Sequence, residues 1–379
     1  MTVRAVERPA DLRGWFGDHV EELRAFVPVD GESLDDRVAR GAAMLGFLHG
    51  AGVMGRGWPE AWGGAGGTAI DRALVYDLLV RSGLDLPESL APLEVLGSAL
   101  SAYAPELAAT HVPRVLRGQE LWCQGFSEPD AGSDLASLRT RAHRSAEGWV
   151  LTGQKVWTSL GHLADYCGVL ARTGTTDERH RGLTLFWVDM RADGVGARPL
   201  QTLTGEDEFA EVFLDEVVVD DSCVIGEVGQ GWAVAMHLLQ YERGMWAWQR
   251  QAMLHQALEI AMAHDEMDEV PVDAIGHAFC VLSSVRARSA RTIERLSRGE
   301  IVGPEVSIDK ILLGRAEQAV NDVVRLALGR DFATSDAAAA ERARGAWFYS
   351  RAASIYGGAV EVQLDLVAQR VIGLPRGTR

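Results

Sequence analysis

Helical periodicity occupies both ends of this sequence and β patterning its middle, and that segregation limits the possible folds more than any other feature. Apolar residues recur at helical spacing from Asp18 to Leu116, in segments such as ARGAAMLGFLHGAG and IDRALVYDLLVRSG, with a loop at Trp58 to Gly64. From Leu121 the character changes to short runs rich in Val, Leu, Trp and Thr between Gly- and Asp-containing turns: GWVLTGQKVWTS, YCGVLARTG, GLTLFWVDM and EVFLDEVVV. The helical period returns at Trp232. Ile275, Phe279, Leu282, Val285, Ser289, Ile293 and Leu296 form one stripe, ended by Gly299. Further helices are expected from about Pro304 to Leu328 and from about Ala346 to Arg370, while the Ala-rich stretch Ser335 to Ala343 fits either a helix start or a loop. Helices, then strands, then helices cannot supply the alternating crossovers of a doubly wound sheet. The expected class is therefore α+β in three units: a helical domain over 1–120, a β domain over 121–228 and a helical domain over 229–379. No GxGxxG follows a strand and no GxxxxGK[ST] occurs, so Rossmann and P-loop nucleotide sites have no support.

The 379 residues exceed what one core normally serves, and a net charge of −16 repels nucleic acid and anionic lipid surfaces. Any anionic ligand then needs a local basic pocket. Cys123, Cys167, Cys223 and Cys280 lie far apart with no CxxC pair, which suits a reducing compartment and neither a disulfide framework nor a thiolate metal site. No apolar run approaches the ~18 residues of a membrane span. The opening MTVRAVERPADLRGWF has no apolar core of a signal peptide, so a cytoplasmic protein is expected.

The segment Gly125 to Ser137, GFSEPDAGSDLAS, puts small residues and free backbone N–H groups on a tight turn, as a closely approaching flavin or phosphate requires. A plain surface turn reads the same way. This segment resembles the acyl-CoA dehydrogenase signature. It is followed by GQKVWTS at Gly153 to Ser159, GEDEFAEVF at Gly205 to Phe213, GQGW at Gly229 to Trp232, YERG at Tyr241 to Gly244 and AQRVIGLPR at Ala368 to Arg376. These occur in the family's order and approximate spacing, so the resemblance spans essentially the whole chain. It implies an N-terminal α-helical domain, a middle β-barrel or sandwich and a C-terminal four-helix bundle. It also implies FAD, with Gln124, Phe126, Ser127, Gly132 and Ser133 along the flavin and its pyrophosphate, Trp157 against the isoalloxazine and Ser159 near flavin N5. An isolated Trp on a strand is more often core than cofactor wall, because aromatic burial alone explains it; the setting after GQKV reverses that reading.

Members of this family remove the substrate's α-proton with a glutamate, which needs a dry site to become a strong enough base. Many carry it in a Tyr-Glu-Gly-Thr stretch near the C-terminus. Here that stretch is Tyr356-Gly357-Gly358-Ala359, and glycine abstracts no proton. A second branch, resembling isovaleryl- and long-chain dehydrogenases, presents its base from an earlier helix in a Glu-Arg pair, where this sequence has Glu242-Arg243 beside Leu238, Leu239, Met245 and Trp246. The resemblance thus implies Glu242 as base, Arg243 as an orienting charge and Gly357 as a backbone donor to the thioester carbonyl. A helix-surface Glu-Arg pair is the plain alternative. Glu361 ranks below Glu242 as a base, because it falls where the family contacts the flavin of a neighbouring subunit.

Two departures concern contacts made across subunits. The family's Arg-x-x-Phe-Gly corresponds roughly to His264 to Glu269, with neither the Arg nor the Phe-Gly, and Ala359 replaces a Thr. Ala327 to Arg330 also matches a glycine-rich flavin contact poorly. The implied assembly is a homotetramer, or a heterotetramer with a homologue, acting on an acyl-CoA or acyl-carrier thioester and passing electrons to an electron-transfer flavoprotein or similar acceptor. Gly303-Pro304-Glu305 and the YGG stretch resemble heteromeric relatives that act on bulky acyl thioesters. The rival readings are a partner subunit that completes another chain's flavin site and a flavin oxidase or monooxygenase on the same scaffold.

Overall fold

In the computed structural model, which describes residues 11–264, 267 and 269–375, the first third is helical: α1 Leu12–Asp18, α2 Val20–Leu23, α3 Leu34–Gly50, α4 Ala69–Arg81, α5 Leu90–Tyr103 and α6 Pro105–Leu116. Local chemistry sets where the longer helices start. Ser33 accepts a hydrogen bond from the Asp36 amide at 3.1 Å at the head of α3, and Thr68 with Asp71 forms a capping box at the head of α4.

The middle of the chain forms β1 Trp122–Gly125, β2 Arg141–Ser145, β3 Gly148–Ser159, β4 Tyr166–Arg172, β5 Leu183–Asp189, β6 Val195–Leu200, β7 Phe209–Val219 and β8 Val224–Ile225. They make one sheet in the order β6-β7-β3-β2-β4-β5-β8, with β1 parallel to β4. Leu151, Val169, Phe186, Val212 and Val217, from β3, β4, β5 and β7, share a single apolar cluster. Strands distant in that order therefore face each other, and the sheet curls around its own core. β4 lies between two cores. Cys167, Val169 and Ala171 face that cluster, while Leu170 joins Trp122, Leu185 and Trp187 in a second one shared with the N-terminal helices. That two-sided burial explains why YCGVLAR reads as a continuous apolar run.

The last third holds α7 Gly231–Tyr241, a π-helical turn at Glu242–Trp246, α8 Ala247–Met262, α9 Val272–Ser297, α10 Val306–Ala327, α11 Asp331–Thr334, α12 Ala338–Ala352 and α13 Val360–Leu366. α8, α9 and α10 pack through Leu254, Leu258, Leu282, Val285, Leu313 and Val320. Two expectations are corrected here. Phe279 is 59 % exposed, and Ala278 takes its place on the inner face of α9 beside the expected Leu282, Val285 and Ser289. The single helix expected over Ala346 to Arg370 is broken between Ala352 and Val360, because Gly357 and Gly358 adopt left-handed φ values of 60° and 98°. The Ala-rich stretch resolves as the start of α12. Asp265, Glu266 and Asp268, at the position of the absent Arg-x-x-Phe-Gly, lie outside the described residues, as does Arg376.

Candidate active site

α7 and α8 are joined by the π-helical turn Glu242–Trp246, whose extra residue per turn re-aims the side chains it carries. Glycine at 244 lets this turn approach α9, since a Cβ there would meet Thr292 Cγ2 at 2.9 Å. Glu242 points at the break after α12. A Cβ at Gly357 would lie 2.9 Å from Glu242 Oε1 and 3.3 Å from Lys310 Cε. Lys310, on α10 and only 2 % exposed, donates to the Ala353 carbonyl at 2.9 Å. Its ammonium stands 4.0 Å from the centre of the Tyr356 ring. Two turns along the same face of α10, Glu317 accepts from Arg250 Nε at 2.8 Å and from the Tyr356 hydroxyl at 2.8 Å.

The electrostatics follow from enclosure. Burial raises the Glu242 pKa above the usual carboxylate value, against the lowering pull of Arg243 and then Lys310. Burial also drops Lys310 to about 8, although Glu317 and Glu242 both favour its charged form. Arg243 is lowered by burial while Glu242 raises it, and its Nε is buried with no hydrogen-bond partner. Glu242 and Arg243 are half-buried, and desolvation dominates the shift of both, so they are not a freely solvated helix-surface pair.

A line of aromatic rings leads from this group to the β sheet. Trp246 meets Tyr356 edge-on at 5.3 Å, Tyr356 lies 5.6 Å from Tyr349, Tyr349 stacks on Phe209 at 6.4 Å, and Phe209 meets Trp157 edge-on at 5.8 Å. Trp157 sits where the β3–β7 register shifts between Lys155 and Thr158, with φ 59°. The bulge turns its indole outward, 61 % exposed. Ser159 is exposed and Thr158 buried, the Thr158 hydroxyl having no partner.

Lys155 points inward from the same strand and clamps the preceding loop. Its ammonium donates to Phe126 O at 3.2 Å and pairs with Glu128 at 2.8 Å. Glu128 also accepts from the Arg139 and Thr140 amides at 2.6 and 2.8 Å, and the Val156 amide donates to Ser127 O at 2.9 Å. Burial drops Lys155 to about 8 even beside Glu128. Glu128 stays below the usual value because Lys155 and these amides outweigh its own burial.

Among the residues assigned from sequence, Glu242, Arg243 and Gly357 come together, as do Phe126, Ser127, Trp157 and Ser159. The Phe126 ring is 5 % exposed and belongs to the core, so only its backbone faces the loop. Gly132 and Ser133 are exposed further along that loop, and Gln124 is half-buried on β1 opposite Gly168. Glu361 stands exposed on the first turn of α13, outside the enclosed Glu242 group. A planar aromatic ligand such as a flavin fits the β face: an indole held outward on a left-handed residue with a hydroxyl two positions on is not explained by core packing. Lys310, Glu317 and Arg250 were not assigned from sequence. Val306, Lys310, Leu313, Glu317 and Val320 do lie at helical spacing, and two charges interrupting a buried stripe would have marked them.

This architecture is that of an oxidoreductase family defined by a helical domain, a curled β sheet and a helical bundle. The family model for the acyl-CoA dehydrogenase middle domain matches residues 123–217, and that for the C-terminal domain matches residues 229–372. Acyl-CoA dehydrogenase IpdE1 of Mycobacterium tuberculosis is 34 % identical, with 97 % of each chain covered. The chain belongs to the acyl-CoA dehydrogenase family. Among solved structures, a variant of the Tcur3481-Tcur3483 steroid ACAD superposes with a TM-score of 0.82 at 25 % identity, covering 96 % of this chain and 100 % of that one. The ChsE4-ChsE5 complex from Mycobacterium tuberculosis shares the fold, with a TM-score of 0.73 at 22 % identity over 97 % of this chain and 96 % of that one.

Proposed function

We propose that this chain catalyses the α,β-dehydrogenation of an acyl-CoA or acyl-carrier thioester to the 2-enoyl thioester, with Glu242 as the base and FAD as the oxidant. The observation that carries this reading is the position of the Glu242 carboxyl, 2.9 Å from where a side chain at Gly357 would begin. When bound, FAD would supply the acceptor for the β-hydride, so that loss of the α-proton to Glu242 and of the hydride would break two C–H bonds and form one C=C bond. Burial makes Glu242 a stronger base than a solvated carboxylate, and Arg243 and Lys310 hold its charged form. Among the described residues the Gly357 N–H donates to no main-chain carbonyl, and we assign it to the thioester oxygen, where negative charge develops. Trp157, Ser159 and the Gln124, Phe126, Ser127, Gly132 and Ser133 segment are the residues we assign to FAD.

The chain's similarity to a steroid ACAD supports a bulky acyl group. We assign the electrons to an electron-transfer flavoprotein or a similar acceptor and the protein to the cytoplasm; among the described residues no helix is long and apolar enough to cross a membrane. A tetramer is proposed because Val362, Leu364, Ile372 and Leu374 leave apolar surface exposed at the C-terminal end. Light scattering that gives a monomer with flavin and activity intact excludes it. The same surface favours one second reading, in which this chain completes the site of a homologue. The visible spectrum of the pure protein, followed by anaerobic bleaching with acyl-CoAs, separates the two: a yellow protein bleached by a thioester supports the first, and a protein colourless alone but yellow when co-expressed with a homologue supports the second. Stoichiometric hydrogen peroxide would instead identify an oxidase.

A further inference from the structure

Two segments distant in the chain must keep one spacing if the Glu242 carboxyl is to stay 2.9 Å from the side-chain place of Gly357, and the second of them cannot hold itself there. Gly357 and Gly358 take left-handed φ values of 60° and 98°, and a glycine resists leaving such a conformation less than any other residue. Among the described residues neither amide donates to a main-chain carbonyl. The spacing must therefore come from side chains beside them.

Tyr356, the residue before Gly357, is fixed at two points by α10. The Lys310 ammonium stands 4.0 Å from the centre of its ring, and its hydroxyl donates to Glu317 Oε2 at 2.8 Å. The other oxygen of Glu317, Oε1, accepts from Arg250 Nε at 2.8 Å. Arg250 lies on α8, which runs on directly from the π-helical turn that carries Glu242. One carboxylate thus holds a residue of each segment, with one oxygen for each. Core packing does not account for it. Glu317 is fully buried, and an enclosed ion pair is often no more stabilising than apolar side chains of the same volume. What charge-assisted hydrogen bonds add is direction: they fix where both partners stand.

We infer that Glu317 is a positioning residue, which through Arg250 and Tyr356 sets the spacing between Glu242 and the Gly357 amide so that both address one thioester. The chemistry in this inference rests on the dehydrogenation reading; the clamp rests on its own bonds.

Two variants test it. Tyr356→Phe deletes the hydroxyl that reaches Glu317 and keeps the ring beside Lys310. Glu317→Gln removes the charge but keeps a group that can bond both partners, since its carbonyl accepts from Arg250 and its amide donates to the Tyr356 oxygen. Each flavin-loaded holoenzyme is assayed, at saturating thioester, for anaerobic bleaching by an acyl-CoA that bleaches the wild type and for exchange of the α-protons of 3,3-dimethylbutanoyl-CoA in D2O. The second thioester has no β-hydrogen, so exchange reads the base and the carbonyl donor without hydride transfer. Affinity is titrated alongside, and circular dichroism checks the fold.

In Tyr356→Phe both rates should fall ~10-fold or more, because a displacement of about 1 Å can cost 10²-fold, while affinity and flavin content stay near those of the wild type. Glu317→Gln should retain more of both rates than Tyr356→Phe. Wild-type rates in Tyr356→Phe overturn the proposal. So does a loss confined to affinity, which a positioning role does not predict, or a Glu317→Gln variant slower than Tyr356→Phe, which would assign the effect to charge instead of to the two bonds. A wild-type holoenzyme that bleaches with no thioester and exchanges no α-proton sinks the dehydrogenation reading and this proposal with it. An active wild type beside an equally active Tyr356→Phe sinks the proposal alone.

Discussion

The carboxyl of Glu242 fills the notch left open by Gly357: its Oε1 lies 2.9 Å from the place a Cβ at 357 would take. Two distant segments thus address one point, and only one of them carries a side chain there. Glycine at 357 is required twice over, by its left-handed φ of 60° and by the carboxyl that occupies its side-chain space.

Gly357→Ala tests that geometry. Alanine at a left-handed φ is strained by about 1–2 kcal/mol, and its methyl forces Glu242 aside. The melting temperature should drop, and the single-turnover bleaching rate should fall ~10-fold or more, since displacing a catalytic group by about 1 Å can cost 10²-fold. A variant that reacts at the native rate would show that Glu242 does not use this notch.

Lys310 contributes, after burial and Arg243, to the pKa of the base. Proton abstraction needs ionised Glu242, so the rate should rise with pH through a pKa that burial holds above 4.5. Lys310 lowers that pKa; Lys310→Met removes the pull, raises it further and moves the acidic limb of the rate profile to higher pH. Stopped-flow bleaching across pH measures this. A limb in the same place in both proteins contradicts the coupling.

Lys155→Met isolates the buried pair beneath the loop Gly125 to Ser137. It leaves Glu128 enclosed without its cation, which should cost about 3 kcal/mol near neutral pH. Glu128 has a depressed pKa in the folded wild type, so its contribution is present above the unfolded value and fades as pH falls through the folded one. The deficit of the variant should therefore shrink on acidification, when Glu128 takes up a proton. Urea unfolding at neutral and acid pH reads both, and a pH-independent deficit would point to lost packing alone.

Trp157→Ala removes the exposed indole of the β3 bulge. Flavin content, read as the ratio of visible to ultraviolet absorbance, should drop, while the fold, read by circular dichroism, is retained because that side chain is 61 % exposed and fills no core. Undiminished flavin would place the cofactor elsewhere.

Much of this was legible in the sequence. Segregated periodicities point to the α+β class, and the family resemblance singles out Glu242, Arg243 and Gly357, which the fold brings together. Short strands such as β2 and β8 were missed: five and two residues are too few to display alternation. The break at Gly357 and Gly358 was read through as helix, since two glycines weaken a periodic pattern without cancelling it. Lys310 and Glu317 escaped because their partners, Ala353, Tyr356 and Arg250, become neighbours only once α8, α10 and the segment after α12 pack together.

Glu242→Gln is the most direct measurement. The substitution keeps shape and hydrogen bonding and removes basicity. With holoenzyme, a bleaching thioester and anaerobic stopped flow, flavin content should be unchanged while the rate of reduction falls by ~10² or more, the usual scale for losing a positioned base. If the Gln variant reduces its flavin at the wild-type rate, the base is not Glu242, and Glu361 or a carboxylate of a partner chain takes its place.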